Sequence, residues 1–579
     1  MSVAAPTTWA AGGGVPSGDT QNVSPAITST PFKAALQKIY STIPRASTSR
    51  IGEPTVEAFR TWALANGTIE PDTDLGRFGS LVSFDEFAKF ILSPKNNPIK
   101  PVDWSKKDLT KPLQDYFISS SHNTYLTGHQ LYGESTAEGY INTLRRGCRC
   151  IEIDVWDGDD GEPSVFHGYT LTKEITFKEV VKAIGKHAFR PEEGIIGPVI
   201  ISLECHAGVS QQKKCVEIMA KYWGDMLVHK PIFEGEKEIE DVKKLPSPLE
   251  LQGKILVKSK YRAADPVTTT VANTIAPQVE DDTSSSSDSE LEEEARKANR
   301  KKPKKHKVIR DLAKLGVYCS AHHFQGFHHE SAKIPNHVYS FSERSYLPHV
   351  DPSPLPAYIH NINHLTRIYP FGLRFSSNNA DPTPYWRLGC QLVALNWQKI
   401  DDGMMLNEAL FSGEGGYVLK PETYRLPLAV NSLPSNQTFD LSIEVIACQN
   451  LPLPRGDSKE KGFKPYFKFE LHVDTVPAMQ DRPKKQLKAK TKSRRTCNPE
   501  EYNETVSFQG IKAAVCPNGD LGFLRCRIFD EEFGKDSMAG WFAVRFSRLK
   551  QGYGAFRVID TEGVETKGLV LCNVQYRIY

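Results

Sequence analysis

Several features of secreted, membrane-spanning or polyanion-binding proteins are missing from this chain. Its 11 cysteines are scattered over 579 residues; only Cys148 and Cys150 stand close, and no paired CxxC motifs offer a zinc site. A reducing compartment is the simplest reading. Residues 1–20 are rich in Ala, Gly, Pro, Ser and Thr and lack the basic start and apolar stretch of a secretory signal. No run of about 18 apolar residues occurs, so no segment is suited to span a bilayer and any membrane contact is expected to be peripheral. A net charge of +3 is too small at this length to imply general polyanion binding, and no nucleic-acid partner is expected.

What is present is an ordinary globular composition, 39% hydrophobic and 24% charged, with length enough for several domains. Residues 1–30 have too few large apolar side chains to fold alone and are expected to form a flexible tail. Over 31–108 the pattern turns helical. Phe32, Leu36, Ile39 and Tyr40 recur at helical spacing, as do Val56, Phe59 and Trp62 ahead of an Asn66-Gly67 stop. Ser83 and Glu86 stand as a capping box before Phe87, Phe90 and Ile91. This resembles part of an EF-hand array, but Asp72-Thr73-Asp74 is followed by Gly76 and Arg77 and no Glu stands at the twelfth position, so a structural helical pair is expected.

From 109 to 261 short apolar strands alternate with helical stretches: Phe117-Ile118-Ser119, Cys150-Ile151-Glu152-Ile153-Asp154, Val199-Ile200-Ile201-Ser202 and Ile255-Leu256-Val257. Similar runs return over 308–430, at Gly316-Val317-Tyr318-Cys319, Val338-Tyr339-Ser340-Phe341 and Leu392-Val393-Ala394-Leu395. Near-continuous apolar strands indicate a buried parallel sheet, and together the halves supply enough strands for a TIM-type (β/α)8 barrel. The intervening segment, 262–307, is polar and block-charged, the composition of a disordered insertion. From 431 to 579 alternating β-rich runs predict an antiparallel sandwich.

Reactive residues gather at the ends of the barrel-like strands: Ser119-Ser120-Ser121-His122-Asn123, Glu152 with Asp154, Val165-Phe166-His167-Gly168, and Ser202-Leu203-Glu204. Glu152 and Asp154, two apart, project to one side of a strand. Chemistry in (β/α)8 enzymes sits at such C-terminal ends. These segments resemble the X half of eukaryotic phosphoinositide-specific phospholipases C. The second half resembles the Y half in Tyr339-Ser340-Phe341-Ser342-Glu343, Arg367-Ile368-Tyr369-Pro370, Ser376-Ser377-Asn378 and Gly389-Cys390-Gln391-Leu392. The likeness is to compact, delta-like members, without a pleckstrin-homology domain ahead of the EF-like helices.

The resemblance implies calcium-dependent hydrolysis of phosphatidylinositol 4,5-bisphosphate, and of less phosphorylated inositol lipids, to diacylglycerol and an inositol phosphate through a cyclic phosphodiester. It implies Ca²⁺ held by Asn123, Glu152, Asp154 and Glu204, Glu204 as general base, His167 as general acid and His122 steadying the charge on pentacovalent phosphorus. Lys258, Lys260, Ser340 and Arg367 are expected to bind the 4- and 5-phosphates, with Tyr369 packed on the inositol ring. The terminal sandwich resembles a C2 domain. Lys464 stands where calcium-binding members carry an acid and Ile528 replaces an aspartate. Asp530, Asp536 and Asn498 are then too few donors for a tight calcium site. This domain is expected to dock the barrel and meet lipid electrostatically, through the basic stretch 484–495. The acidic stretch 281–294 is expected to be repelled by anionic lipid and to obstruct docking. A cytoplasmic monomer acting at phosphoinositide-containing membranes is the expected form. Two readings compete: a glycerophosphodiester phosphodiesterase, and a catalytically inactive lipid-binding scaffold.

Overall fold

The structure is a computed structural model that describes residues 26–45, 52–168, 173–262, 306–351, 353–426, 437–458, 460–473, 487–495, 502–513 and 521–579. Most of the expected tail and inserted linker, the acidic stretch 281–294, residues 484–486 of the basic stretch and Asn498 lie outside them. The chain divides into a barrel unit, Trp104–Asn407 with Phe411–Val430, and a second unit, Ser17–Asp103 with Asn431–Tyr579.

The second unit begins with three helices, α1 Thr30–Ser41, α2 Val56–Ala65 and α3 Phe84–Ile91. Helix α2 stops at Asn66, and Gly67 follows at φ +68°, where a side chain would be strained. Helix α3 starts on the expected capping box, the Ser83 hydroxyl accepting from Glu86 N–H and the Glu86 carboxylate from Ser83 N–H. In the loop between α2 and α3 the Asp74 carboxylate accepts from Gly76 N–H at 2.8 Å, which makes it a turn former.

In the barrel unit eight parallel strands close on themselves: β1 Ser120–Ser121, β2 Cys150–Asp157, β3 Val199–Cys205, β4 Ile255–Lys260, β5 Ser320–Ala321, β6 His337–Ser342, β7 Thr366–Tyr369 and β8 Leu392–Leu395. Closure is made where Ala394 and Leu395 of β8 pair with Ser120 and Ser121 of β1, and Ser120 pairs with Cys150 of β2. Helices α4 Ala137–Arg145, α5 Phe177–His187, α6 Val209–Trp223, α7 Glu343–Val350 and α8 Leu355–Asn363 occupy crossovers between these strands.

Three expectations shift. The apolar run at 116–118 is not the first barrel strand: Tyr116–Ile118 pairs antiparallel with Tyr417–Leu419 outside the ring. The run at 316–319 precedes its strand, which is Ser320–Ala321. His167 does not end a barrel strand either. Strand β2 overshoots the ring and folds back as a hairpin, Val155 opposite Val165, and His167 follows that return.

In the second unit the C-terminal segment forms antiparallel strands β9 Gln437–Gln449, β10 Pro465–His472, β11 Lys488–Lys490, β12 Glu504–Ala513, β13 Phe523–Asp530, β14 Ser537–Arg545, β15 Gly552–Asp560 and β16 Glu565–Ile578. One apolar core joins Phe467, Phe469, Ile528 and Phe542, and Ile528 is wholly buried in it. The N-terminal helices share a second core with Ile446, Ala555 and Leu571 of this sheet, and Trp62 stacks on Tyr553 at 5.5 Å.

Arg149, just before β2, is fully buried and donates through Nε to Cys148 O at 2.7 Å, through Nη2 to Leu144 O at 3.0 Å, and through Nη1 to Ala188 O. Replacing it by Met orphans the Cys148 and Ala188 carbonyls, each worth ~1–3 kcal/mol of desolvation, while Leu144 O keeps the Gly147 N–H at 2.9 Å. Arg149→Met is expected to lower barrel stability by ~3 kcal/mol or more in urea denaturation, while Arg145→Met, on the half-buried end of α4, changes it by ~0.5 kcal/mol at most.

Candidate active site

The strand register decides which side chains meet. Asp154 of β2 is level with Glu204 of β3; one step lower, Glu152, Ser202 and Lys258 form a row across β2, β3 and β4. On the far side Ser340 of β6 is level with Arg367 of β7. Neighbouring strands lie ~4.8 Å apart, so residues distant in sequence face one another across the mouth.

One pocket at this end is lined by His122, Asn123, Gln130, Glu152, Asp154, Trp156, His167, Glu204, His206, Arg367, Tyr369 and Asn396. An adjoining cavity of ≈350 Å³ is lined by Glu204, Lys258, Lys260, His322, Ser340 and His349 among others. Every residue expected from the sequence to act in the site lies on one of these two, and Glu204 lies on both.

Glu152 is buried, Asp154 and Glu204 are half-buried, and all three are compensated. Glu152 accepts from Asn123 N–H at 2.8 Å and from Arg367 Nη2 at 2.9 Å, with His122 Nε2 at 3.9 Å. Asp154 accepts from the Tyr125 hydroxyl at 2.6 Å. Burial pushes the Glu204 carboxyl up, but Lys260 and Lys258 outweigh it and bring the group below the usual carboxylate range. Lys258 Nζ lies 4.0 Å from Glu204 Oε1, and burial lowers its own ammonium despite that partner. Arg367 lines the histidine pocket as the counter-ion of Glu152 and does not line the lysine cavity. Ser340 does line that cavity, and its buried hydroxyl has no hydrogen-bond partner among the described residues.

Both histidines are held by one ring nitrogen. His122 Nδ1–H donates to Asn396 Oδ1 at 2.9 Å and His167 Nδ1–H to Gln130 O at 2.8 Å, which puts the lone pair of each neutral ring on Nε2. Burial lowers both, His167 to about 4. The His122 ring lies parallel to Tyr369, centroids 6.2 Å apart.

Gln130, Asn396, Trp156 and His206 were not singled out by the sequence, and Gln130 ties the site together. Its side chain accepts from Asn123 Nδ2 at 2.8 Å, donates to Ser377 Oγ at 2.9 Å and lies 3.4 Å from Asn396 Oδ1, while its carbonyl holds His167. His206 stacks on Trp156 at 4.1 Å. The left-handed backbone of Asn123, φ +42°, is a strained conformation that the sequence hides.

The donors Asn123, Glu152, Asp154 and Glu204 are all hard oxygens, a set that suits a cation such as Ca²⁺ and not a thiophilic metal. Among the described residues no three His, Cys, Asp or Glu side chains are already drawn together as a metal cage.

The family model for phosphatidylinositol-specific phospholipase C, X domain, matches residues 109–261, that for its Y domain matches 312–423, and the C2 domain model matches 439–559. The chain is 34% identical to 1-phosphatidylinositol 4,5-bisphosphate phosphodiesterase delta-3-A of Danio rerio, over 82% of this chain and 59% of that protein. It is 31% identical to the Homo sapiens protein named Inactive phospholipase C-like protein 2, over 84% of this chain and 42% of that one. A solved structure, that of S. officinalis PLC21, is 27% identical with a TM-score of 0.70, covering 94% of this chain and 68% of that chain. The chain thus spans about three-fifths of the length of the Danio rerio relative.

Because burial holds His167 at about 4, its ring is neutral at pH 7 and takes a proton only near pH 4. The unfolded chain binds that proton near pH 6.5, so this group's contribution weakens stability as pH falls from about 6.5 toward 4. Imidazole NMR of the intact chain is expected to show, among the histidines depressed by burial, a resonance lost in His167→Gln that titrates about 2.5 pH units below the ordinary value.

Proposed function

This chain belongs to the phosphatidylinositol-specific phospholipase C family, and from that premise we propose that it is a calcium-dependent enzyme cleaving phosphatidylinositol 4,5-bisphosphate to diacylglycerol and an inositol phosphate. The observation that carries the reading is the shared wall of the two cavities. The paired histidines with Glu152 and Asp154 stand on one side of Glu204, and Lys258, Lys260 and the Ser340 hydroxyl, unpartnered among the described residues, on the other. A scissile phosphorus and the phosphorylated edge of an inositol ring would occupy adjoining spaces.

Lys258 and Lys260 would take the ring phosphates with Ser340 Oγ, and Tyr369, beside His122, would pack on the ring. Arg367 would act on the headgroup chiefly by holding Glu152. Glu204, ionised because of the lysines, would accept the proton of the inositol 2-hydroxyl as its oxygen attacks phosphorus; phosphates engaging those lysines would relieve their pull and strengthen it as a base. His122 Nε2 would face the charge that builds on the equatorial oxygens. His167 would protonate the departing diacylglycerol oxygen, its proton being taken up with the anionic substrate that offsets the effect of burial. In a second step His167 would remove a proton from water as its oxygen attacks phosphorus, and Glu204 would return its proton to the departing inositol 2-oxygen. Asn123, Glu152, Asp154 and Glu204 would hold Ca²⁺, which when bound supplies charge neutralisation at the phosphate and acidifies the attacking hydroxyl.

The C2 domain would add lipid contact without gathering calcium of its own. Asp530 accepts from Lys464 N–H at 2.7 Å, Asp536 from the Tyr466 hydroxyl at 2.8 Å, and Ile528 belongs to the core. The inactive-scaffold reading has a named precedent among the relatives, and the two buried, oriented histidines favour turnover against it.

On mixed vesicles with calcium titrated, the bisphosphate is expected to be hydrolysed faster than phosphatidylinositol. Absence of diacylglycerol release at saturating calcium would overturn the enzymatic reading. Glu152→Gln with Asp154→Asn is expected to cost at least ~10³-fold in turnover with the fold retained by circular dichroism. Lys258→Ala with Lys260→Ala is expected to slow the bisphosphate at least ~10-fold more than phosphatidylinositol; equal losses would reject the selectivity role.

A further inference from the structure

The two strands that carry the carboxylates run on past them. Side chains alternate along β2, so Glu152, Asp154 and Trp156 stand in one file on the same face, and two residues beyond Glu204 the chain of β3 reaches His206. Asp154 is level with Glu204 and Val155 with Cys205, and His206 N–H donates to Val155 O at 2.8 Å, which carries the register on to Trp156 and His206. A row of two carboxylates is therefore followed, ~6.6 Å nearer the rim of the mouth, by a row of two aromatic rings.

These rings form a slab. The Trp156 indole lies against the His206 imidazole, centroids 4.1 Å and planes 13° apart, and against the Phe166 ring at 5.6 Å and 28°. Phe166 and Gly168 flank His167 in the chain, and the indole sits so near Gly168 that no side chain would fit between them, so the slab abuts the backbone of His167. Trp156, Phe166 and His206 are all half-buried, neither sealed in a core nor fully in solvent. Trp156, Gly168 and His206 line the histidine pocket, and none of them lines the lysine cavity. Half-open aromatic surface of this kind gains ~25 cal/mol per Å² when an apolar group covers it.

Resting on the phospholipase reading, we propose that Trp156, with His206 and Phe166, forms the subsite for the leaving group: it receives the glycerol backbone and the ester-bearing start of the acyl chains, and so selects an acylated glycerol over a water-soluble alcohol. The inositol ring occupies the lysine cavity, so the other ester of phosphorus points to the opposite side of Glu204, where the slab stands beside His167, the group that protonates the departing oxygen. Flat rings pack on methylene and ester groups whatever the chain length, which fits a lipid of varied acyl composition. A slab that merely propped His167 would matter equally in both steps of the reaction, because His167 acts in both; a leaving-group subsite matters only in the first.

Three soluble substrates with one headgroup separate these roles: monomeric dihexanoyl phosphatidylinositol 4,5-bisphosphate, its deacylated glycerol ester, and the inositol 1,2-cyclic 4,5-bisphosphate, which carries no glycerol. The full chain is expected to cleave the dihexanoyl lipid at least about tenfold faster, in kcat/KM, than the deacylated ester. Trp156→Leu is expected to lose at least about tenfold more on the dihexanoyl lipid than on the cyclic compound, each rate being read on the same protein. His206→Phe, which keeps a flat ring in the slab, is expected to hold the ratio of acylated to deacylated substrate within about threefold of the unaltered chain. Equal losses on lipid and cyclic compound in Trp156→Leu, or no preference of the full chain for the acylated substrate, would overturn the inference and leave the phospholipase reading standing. No turnover of any of the three by the full chain would overturn that reading, and the inference with it.

Discussion

The histidine-bearing end of the barrel depends on paying the desolvation of three carboxylates inside a folded protein. Isolated, each would neutralise itself by shifting its proton affinity upward. Here Arg367 stands 2.9 Å from Glu152, two lysines face Glu204, and Tyr125 donates to Asp154. The compensation is supplied by neighbouring strands, so it exists only when the ring is closed. Charge and fold are therefore one problem: a barrel that failed to bring β7 across from β2 would bury Glu152 unpaired, at a cost of ~3–5 kcal/mol.

The same closure explains how one site can be divided between two stretches of sequence. Residues 109–261 supply both histidines, the carboxylates and the lysines, and residues 312–423 supply Ser340, Arg367, Tyr369 and Asn396. The contacts that orient the histidines cross that division: Asn396 holds His122, and Gln130, which holds His167, is anchored to Ser377. Two separately placed halves would not hold these contacts together. The pairing of β8 with β1 does so with two residues from each strand.

Much of this was legible because local chemistry and global fold agree. Ser83 with Glu86, and Asn66 with Gly67, announce helix ends by hydrogen bonds made within a few residues. Glu152 and Asp154 announce a shared face by the pleat alone. What stayed hidden depends on partners far along the chain. The 116–118 run is as apolar as any barrel strand, and only its pairing with 417–419 removes it from the ring. His167 reads as a strand end until the β2 hairpin is seen. Arg367 reads as a planar fork for phosphate, and nothing near it in the sequence announces that Glu152 stands 2.9 Å away. Gln130 and Asn396 carry no signal at all, since an amide's role is set by what it touches.

Gly168 sits so close to Trp156 that a Cβ there would come within 2.0 Å of the indole, and the same indole is stacked between Phe166 and His206 at the pocket wall. The backbone next to His167 is thus gauged against a fluorophore. Displacement of that loop changes what surrounds the indole, one of the chain's eight tryptophans, so the difference in emission between the chain and its Trp156→Phe variant is an optical reporter of the pocket wall that needs no label.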